Sequence, residues 1–297
     1  MHKLTLVLMM LIVALLLVTG CQQKEQTVSP PEVRTEKQLD DEYRAILAEA
    51  GLYHGGEAPS PAQIEAGRYG QVLALAAGHG STELFVRLLG ARTDFNLNQK
   101  TDGRTLLHAA AATLHATNSN LLLERGLDPN VQDNQGMTPL HLAVSQPDGV
   151  NLARLLLARG ARVDIMDGKG MTPLMGANPA SIKMLADKGA DLAAQDSNGN
   201  TALHWAVYRK AHEAAKQLIA LGAPIDSQNS AGKSALHHAV EIADLQMVEL
   251  LLKAGAHADQ IDASGISPRQ AAEKSGNKSL IGLVTRQQDG DKSNKPQ

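Results

Sequence analysis

The spacing of apolar residues changes character several times along the chain. From Leu4 to Val18 every position but Thr5 is apolar, behind a single basic residue, Lys3, and the run closes on Val18-Thr19-Gly20-Cys21. Fifteen residues fall short of the ~20 that a mature membrane-spanning helix needs. A basic start, an apolar middle and small residues before a cut read as a secretory signal over residues 1–20. Residues 22–35 are polar, contain Pro30 and Pro31 and show no period, which makes 21–35 a flexible tether. Thr35-Glu36-Lys37-Gln38 then fits a capping box, and Leu39, Tyr43, Ile46, Leu47 and Ala50 follow at helical spacing until Gly51. An amphipathic helix is therefore expected over 36–50, within an N-terminal helical segment at 36–66. Ser60-Pro61-Ala62-Gln63 fits a second capping box, with Pro at the first helical position.

Beyond residue 66 one pattern repeats. Thr138-Pro139-Leu140-His141-Leu142-Ala143 recurs as Thr172-Pro173-Leu174-Met175-Gly176-Ala177, Thr201-Ala202-Leu203-His204-Trp205-Ala206 and Ser234-Ala235-Leu236-His237-His238-Ala239. Thr105-Leu106-Leu107-His108-Ala109-Ala110 stands upstream, a worn copy begins at Gln71, and Ser267-Pro268 opens a last, partial one. Gly126, Gly160, Gly189, Gly222 and Gly255 keep step, each 12 residues before the next Thr or Ser. Thr or Ser caps a first helix, a second carries pairs such as Leu155-Leu156 and Leu250-Leu251, and the Gly supplies a left-handed C-cap. Asp133 to Gly136, Asp167 to Gly170, Asp196 to Gly199 and Asp262 to Gly265 have Asp first and Gly fourth, the signature of type I turns. This pattern resembles the ankyrin repeat over residues 67–284. The resemblance implies an all-α solenoid of about six helix-turn-helix units with β-turn or hairpin connections, plus a C-terminal capping unit. Each unit exposes apolar faces that only its neighbours cover.

Two units depart from the pattern. In the first, Arg92 replaces the capping Gly and one residue is inserted before Gly103. In the fourth, Leu174 to Gly189 takes 15 steps where neighbouring units take 19 or 20, a loss of about one helical turn. Asn178-Pro179 is then expected to start the second helix directly, leaving a notch or bend beside a first helix of one turn. At the far end, Arg269, Glu273 and Lys274 suit a solvent-facing cap, and residues 285–297 are too polar to bury anything and read as a disordered tail.

Composition sharpens this picture. Of 297 residues 43% are hydrophobic, yet only seven are Phe, Tyr or Trp, so Leu and Ala must fill the interior. Thin helical layers suit that filling better than one thick core. The 28 basic against 31 acidic residues leave a net charge of −3, which argues against nucleic-acid binding. The lone cysteine excludes an intramolecular disulfide and a Cys-rich zinc site. Its setting resembles a bacterial lipoprotein lipobox. That resemblance implies cleavage after Gly20, diacylation of Cys21 through sulfur and acylation of the new amine. With Gln22 next, family sorting rules point to the outer membrane, facing the periplasm.

Enzymatic constellations fail on inspection. His108, His141, His204 and His237 share one repeat position without Cys or a regular carboxylate partner, and in ankyrin arrays this His ties hairpin to helix. Gly232-Lys233-Ser234 ends like a phosphate loop, but Ser227 stands where the motif needs Gly. Asp196, Asn198 and Asn200 open like a calcium loop, but Thr201 and Val207 occupy the required Gly and Glu positions. No Gly-x-Ser-x-Gly elbow occurs. Catalysis, a cofactor and a metal are not expected.

What remains is surface. The resemblance implies protein binding on the concave face, through the hairpin tips and the exposed side of the first helices. The tips give Arg104, Met137, Met171, Asn200 and Lys233; the helices give Gln146, Trp205, Tyr208, Arg209 and Glu241, beside Thr113, Ser145 and Ile242. Tyr, Trp and Arg are the residues that most often anchor interfaces. The layout also resembles ankyrin lipoproteins that act as immunity proteins against type VI secretion phospholipase effectors. A second resemblance is to periplasmic ankyrin scaffolds that support a catalase or another envelope protein. Either way a protein that is monomeric when free is expected.

Overall fold

The structure, a computed structural model, describes residues 34–292 apart from 56, 93, 94 and 102. The signal segment, Cys21 and residues 22–33 of the tether lie outside the described residues. From Glu36 onward the chain forms one unit. An N-terminal helix α1 (Glu36–Glu49) is followed by seven helix pairs: α2 (Ala66–His79) with α3 (Thr82–Ala91), α4 (Leu106–Ala112) with α5 (Ala116–Glu124), α6 (Pro139–Val144) with α7 (Val150–Ala158), α8 (Pro173–Gly176) with α9 (Pro179–Asp187), α10 (Ala202–Tyr208) with α11 (His212–Ala220), α12 (Ala235–Glu241) with α13 (Leu245–Lys253), and α14 (Pro268–Ser275) with α15 (Lys278–Lys292). First helices pack on first helices and second on second, each pair against the next. The described residues contain no extended strand; the tips are turns, with one isolated bridge between Thr101 and Arg104.

The core follows from the repeat. Leu140, Leu174, Leu203 and Leu236 are buried on the first helices, and Leu156, Leu185, Leu218 and Leu251 on the second. Small residues such as Ala143, Ala206 and Ala239 let neighbouring layers approach, so the low aromatic content is a packing solution. α1 closes the N-terminal end by burying Ile46 and Leu47, while its Glu42 accepts from Ser81, the residue capping α3. α1 ends near Gly51, whose φ of +67° suits a residue without Cβ.

Both ends of the array differ from the sequence expectation. Unit one does not begin at Gln71: α2 starts at Ala66, because Tyr69 joins Val72, Leu73, Ala76 and Ala77 in a single buried stripe. The capping box at Ser60 exists, with Ser60 N donating to Gln63 Oε1 at 2.7 Å, but it closes only the 3-10 turn Pro61–Gln63 before Ile64 turns extended. Arg92 replaces a glycine to a purpose, since its Nη1 donates to Ile64 O at 2.9 Å and its guanidinium lies 5.3 Å from the Tyr69 ring centre. At the other end the partial cap is a full helix pair. α15 buries Leu280 and Val284 and runs to Lys292, so 285–292 are helical where a disordered tail was expected. Once a helix is nucleated by packing, each further residue extends it cheaply. Arg269 turns inward instead of facing solvent, donating to Val284 O at 2.7 Å and pairing with Asp259 at 2.5 Å.

Unit four is short in its first helix alone. α8 has four residues where α4, α10 and α12 have seven, whereas α9 keeps the nine of α5, α7, α11 and α13. Asn178 takes over the missing turn's work. Its Oδ1 accepts from Ser181 N at 3.2 Å to cap α9, and its Nδ2 donates to Val144 O at 2.7 Å, where unit three's first helix ends.

Candidate functional site

From unit three onward each tip is built from one side chain. In unit three's tip, Asp133 Oδ1 accepts from Gln135 N (2.9 Å) and Met137 N (3.0 Å), while Asp133 N donates to Met137 O (2.8 Å). Asp167, Asp196 and Asp262 repeat this, and Asn229 does the same in the unit whose turn does not begin with Asp. Backbone bonds join the tips in series: Gly168 N to Gln135 O, Ser197 N to Lys169 O, Ser230 N to Asn198 O and Ala263 N to Ala231 O, at 2.7–3.0 Å. Gly136, at φ +78°, must be glycine, since a Cβ would lie 2.4 Å from Gly168 N.

The repeated histidines weld one unit to the next. His141 Nδ1 accepts from Thr138 N (3.1 Å) and from its hydroxyl (2.9 Å), and Nε2–H donates to Met171 O in the following tip (3.1 Å). His108, His204 and His237 reach Met137 O, Lys233 O and Ile266 O in the same way. Burial holds all four below the usual imidazole range. These hydroxyl–imidazole pairs look like nucleophile and base, but Ser234 is 0% exposed and no substrate reaches it. Among the described residues no group of three or more His, Cys, Asp and Glu side chains is placed to hold a metal ion.

The anticipated contact residues divide between scaffold and surface. Asn200 is buried, its Nδ2 donating to Asp196 and its Oδ1 accepting from Asn229, so it is withdrawn from the surface. Gln146 spends its amide on Ala112 O (3.1 Å) and Leu142 O (3.2 Å). Thr113, at the same repeat position, donates to Gly78 O (2.7 Å). Arg209 occupies that position in unit five and donates to Met175 O. The reach of the side chain grows with the gap it spans: Thr and Gln suffice beside full helices, and Arg is needed where α8 stops a turn early. Met137 and Met171 are half-buried, and Arg104 is exposed and paired with Asp133 at 3.2 Å.

Units five and six bring the others together. Trp205 Nε1 donates to Asp196 Oδ2 at 2.9 Å, Tyr208 lies 5.7 Å from the Trp205 ring, and the Arg209 guanidinium lies 5.8 Å from that ring's centre. Tyr208 is 42% exposed, the largest aromatic surface among the exposed large hydrophobics. It stacks obliquely on His238 at 4.3 Å and donates its hydroxyl to His238 Nε2 at 2.8 Å. Lys233 and Glu241 pair at 2.5 Å beside them. Burial first, and then His204, push His238 down to about 4, so at neutral pH it is uncharged with Nε2 as acceptor. Its 3.5 Å contact with Glu241 is therefore no ion pair at neutral pH. The hydrogen bond to Glu241 raises Lys233, keeping it charged. Sequence reasoning missed His238. The signal was its repeat position, which Trp205 holds one unit earlier.

A family model described as ankyrin repeats (three copies) matches residues 73–167, 148–229, 172–263 and 210–294. The chain belongs to the ankyrin-repeat family. Over 130 residues it is 35% identical to the human and mouse Neurogenic locus notch homolog protein 1, a match spanning 42% of this chain and 5% of that protein. In structure it is similar to the ankyrin repeat domain of Bcl-3, described as a unique member of the IkappaB protein family, with a TM-score of 0.63 at 25% identity, covering 72% of this chain and 97% of that one. An ankyrin repeat domain from Acinetobacter baumannii AYE aligns with a TM-score of 0.56 at 30% identity, over 61% of this chain and 97% of that one. Repeats of this family form scaffolds for binding other proteins.

Proposed function

We propose that the chain captures another protein on the tip-and-first-helix face of units five and six, with Tyr208 as anchor and Trp205, Arg209, Lys233 and Glu241 around it. The observation that carries this reading is Tyr208 itself: exposed, yet fixed by the hydroxyl bond to His238 and by contacts with the Trp205 and His238 rings. A contact held rigid before binding loses little entropy on association, and aromatic residues are the usual hot spots. In the finer reading the chain is held at the outer membrane by lipid on Cys21 and inhibits its partner, a phospholipase-type effector. The lipobox-like Val18 to Cys21 supports the anchor, and the layout of lipid anchor, tether and ankyrin array supports inhibition.

A pull-down from envelope membranes tests both levels. Tyr208→Ala should keep the fold at a cost of about 1–2 kcal/mol, since it gives up one hydrogen bond and two ring contacts but opens no core cavity. It should weaken the partner by ~2 kcal/mol, about thirtyfold. Cys21→Ser should leave the chain without palmitate label and out of the membrane fraction. Unchanged partner affinity in a folded Tyr208→Ala variant would move the site away from units five and six. Label persisting in Cys21→Ser would remove the anchor. A captured lipase-like protein whose activity the chain blocks would support inhibition, and capture without inhibition would overturn it.

A further inference from the structure

The seam between units four and five lacks links that close the other seams from unit two onward. At the tips, a side chain shortly before each turn reaches a carbonyl of the next tip. Lys100 Nζ donates to Gln132 O at 2.7 Å, Gln132 Nε2 to Met166 O at 2.8 Å, Gln195 Nε2 to Gln228 O at 3.2 Å and Gln228 Nε2 to Ile261 O at 2.8 Å. Unit four has Met166 in that place, 47% exposed and with no N–H or O–H to offer Gln195 O. Behind the tips, Met175 replaces the imidazole that His108, His141, His204 and His237 extend to the next tip.

A third link is weakened at the same seam. Between units three and four, Asn130 Nδ2 donates to Gly160 O at 3.0 Å and its Oδ1 accepts from Arg162 N at 2.7 Å. One unit on, Asp164 has no amide to donate and only accepts, from Asp191 N at 3.3 Å. Burial, and after it the Asp191 charge, push the Asp164 carboxyl up against the pull of that N–H. Unit five has Ala193 at this position but keeps its strap and its weld. The outer helices are intact across the seam: α9 packs on α11, with Ile182, Leu185, Ala215 and Leu218 buried. In a repeat array each unit touches only its neighbours, so the links across one seam set the stiffness of that seam.

We propose that the seam between units four and five is a hinge, with packed α9 and α11 as its axis, about which the tips and first helices on either side open and close. Ser197 N to Lys169 O at 3.0 Å and the Arg209 bond to Met175 O are the straps that limit the opening. The hinge line crosses the concave face, with Met137 and Met171 on one side and Trp205 and Tyr208 on the other. Its motion therefore changes the curvature of that face. The inference concerns the free chain and stands apart from the protein-binding reading.

Double electron–electron resonance on the full chain in mild detergent tests it, with Cys21→Ser so that introduced thiols alone carry spin labels. Three pairs of exposed sites, each two units apart, are compared. Lys169→Cys with Ala231→Cys spans the seam at the tips, and Asn198→Cys with Ser264→Cys joins tips beyond it. Lys183→Cys with Glu249→Cys spans the seam on the outer helices. The first pair should give a distance distribution about twice as wide as the other two, because a hinge adds motion of the tips to motion of the labels. Met166→Gln with Met175→His should narrow it to the width of the second pair. Equal widths for all three pairs would overturn the proposal. So would equal broadening on the outer helices, which would mean that unit four loosens as a whole. A width unchanged in the folded double variant would also overturn it. If Met175→His does not fold, Met166→Gln alone, at an exposed site, should narrow the first pair in part, and no narrowing would overturn the hinge.

Discussion

Thr172 opens the first helix of unit four as Thr138 and Thr201 open theirs, yet its buried hydroxyl has no hydrogen-bond partner. The cause is Met175, which stands where the other units carry His108, His141, His204 and His237. With no imidazole there, no described side chain of unit four welds its cap to the tip of unit five, and among the described residues Asn200 O receives only Asp196 N (3.0 Å). An imidazole at 175 would accept from the Thr172 hydroxyl and donate to Asn200 O. Net hydrogen bonds are worth ~1 kcal/mol each, and an orphaned buried polar group costs ~1–3 kcal/mol. Met175 is 1% exposed, so the ring must fit a packed site, which consumes part of that gain. Met175→His is expected to stabilise by about 1 kcal/mol at pH 8, or ~2–4 °C in Tm. Thermal unfolding checks it, and a lowered Tm would mean the site does not admit the ring. This substitution was plain in the repeat alignment, but the orphaned hydroxyl was not, because one needs to know that the histidines reach across units rather than within one.

Among the elements, α8 is the weakest. Four residues are too few for a run of i→i−4 bonds. Met175 N donates instead to Thr172 O at 3.0 Å, and Ala177 N to Leu174 O at 3.2 Å. Native-state hydrogen exchange should show residues 172–188 opening before 138–160 or 234–253, since local stability follows contact density and buried apolar area. Equal protection across the three segments would contradict this. The length of α8 was legible because the deletion falls between two markers, Leu174 and Gly189, that otherwise keep a fixed distance. The start of α2 was not legible from the repeat, since its stripe gains Tyr69 from outside the repeat's own pattern. The site was half legible: repeat position gave Trp205, Tyr208 and Arg209, while the withdrawal of Asn200 and Gln146 depends on carbonyls that only the folded stack brings within reach.

At the scale of the whole molecule, the welds make the stack sensitive to acid. His108, His141, His204 and His237 lie below the usual imidazole range through burial, and His238 is pushed down to about 4. Their unfolded value is ~6.5. Below that pH the unfolded chain binds protons that the folded chain refuses, so stability falls as pH falls. The sign follows from the chemistry: Nδ1 of each welding His, and Nε2 of His238, act as acceptors, and protonation turns each acceptor into a donor facing a donor. Their stabilisation is complete above pH ~6.5 and is lost progressively below it. Asp133, Asp244, Asp259 and Asp262 are held below the usual carboxylate range, so their contribution is lost only at lower pH, below ~4. The urea midpoint should therefore be flat from pH 8 to 7, decline from about 6.5 toward 4 on the histidines, and fall again below that on the carboxylates. His238→Gln should shallow the decline between pH 6.5 and 4, because one shifted group is gone, while costing little at pH 8 if the Gln amide oxygen accepts the Tyr208 hydroxyl. A midpoint that rises toward pH 5 would show that the folded chain takes up protons more readily than the unfolded one, and a slope unchanged in His238→Gln would show that His238 titrates alike in both.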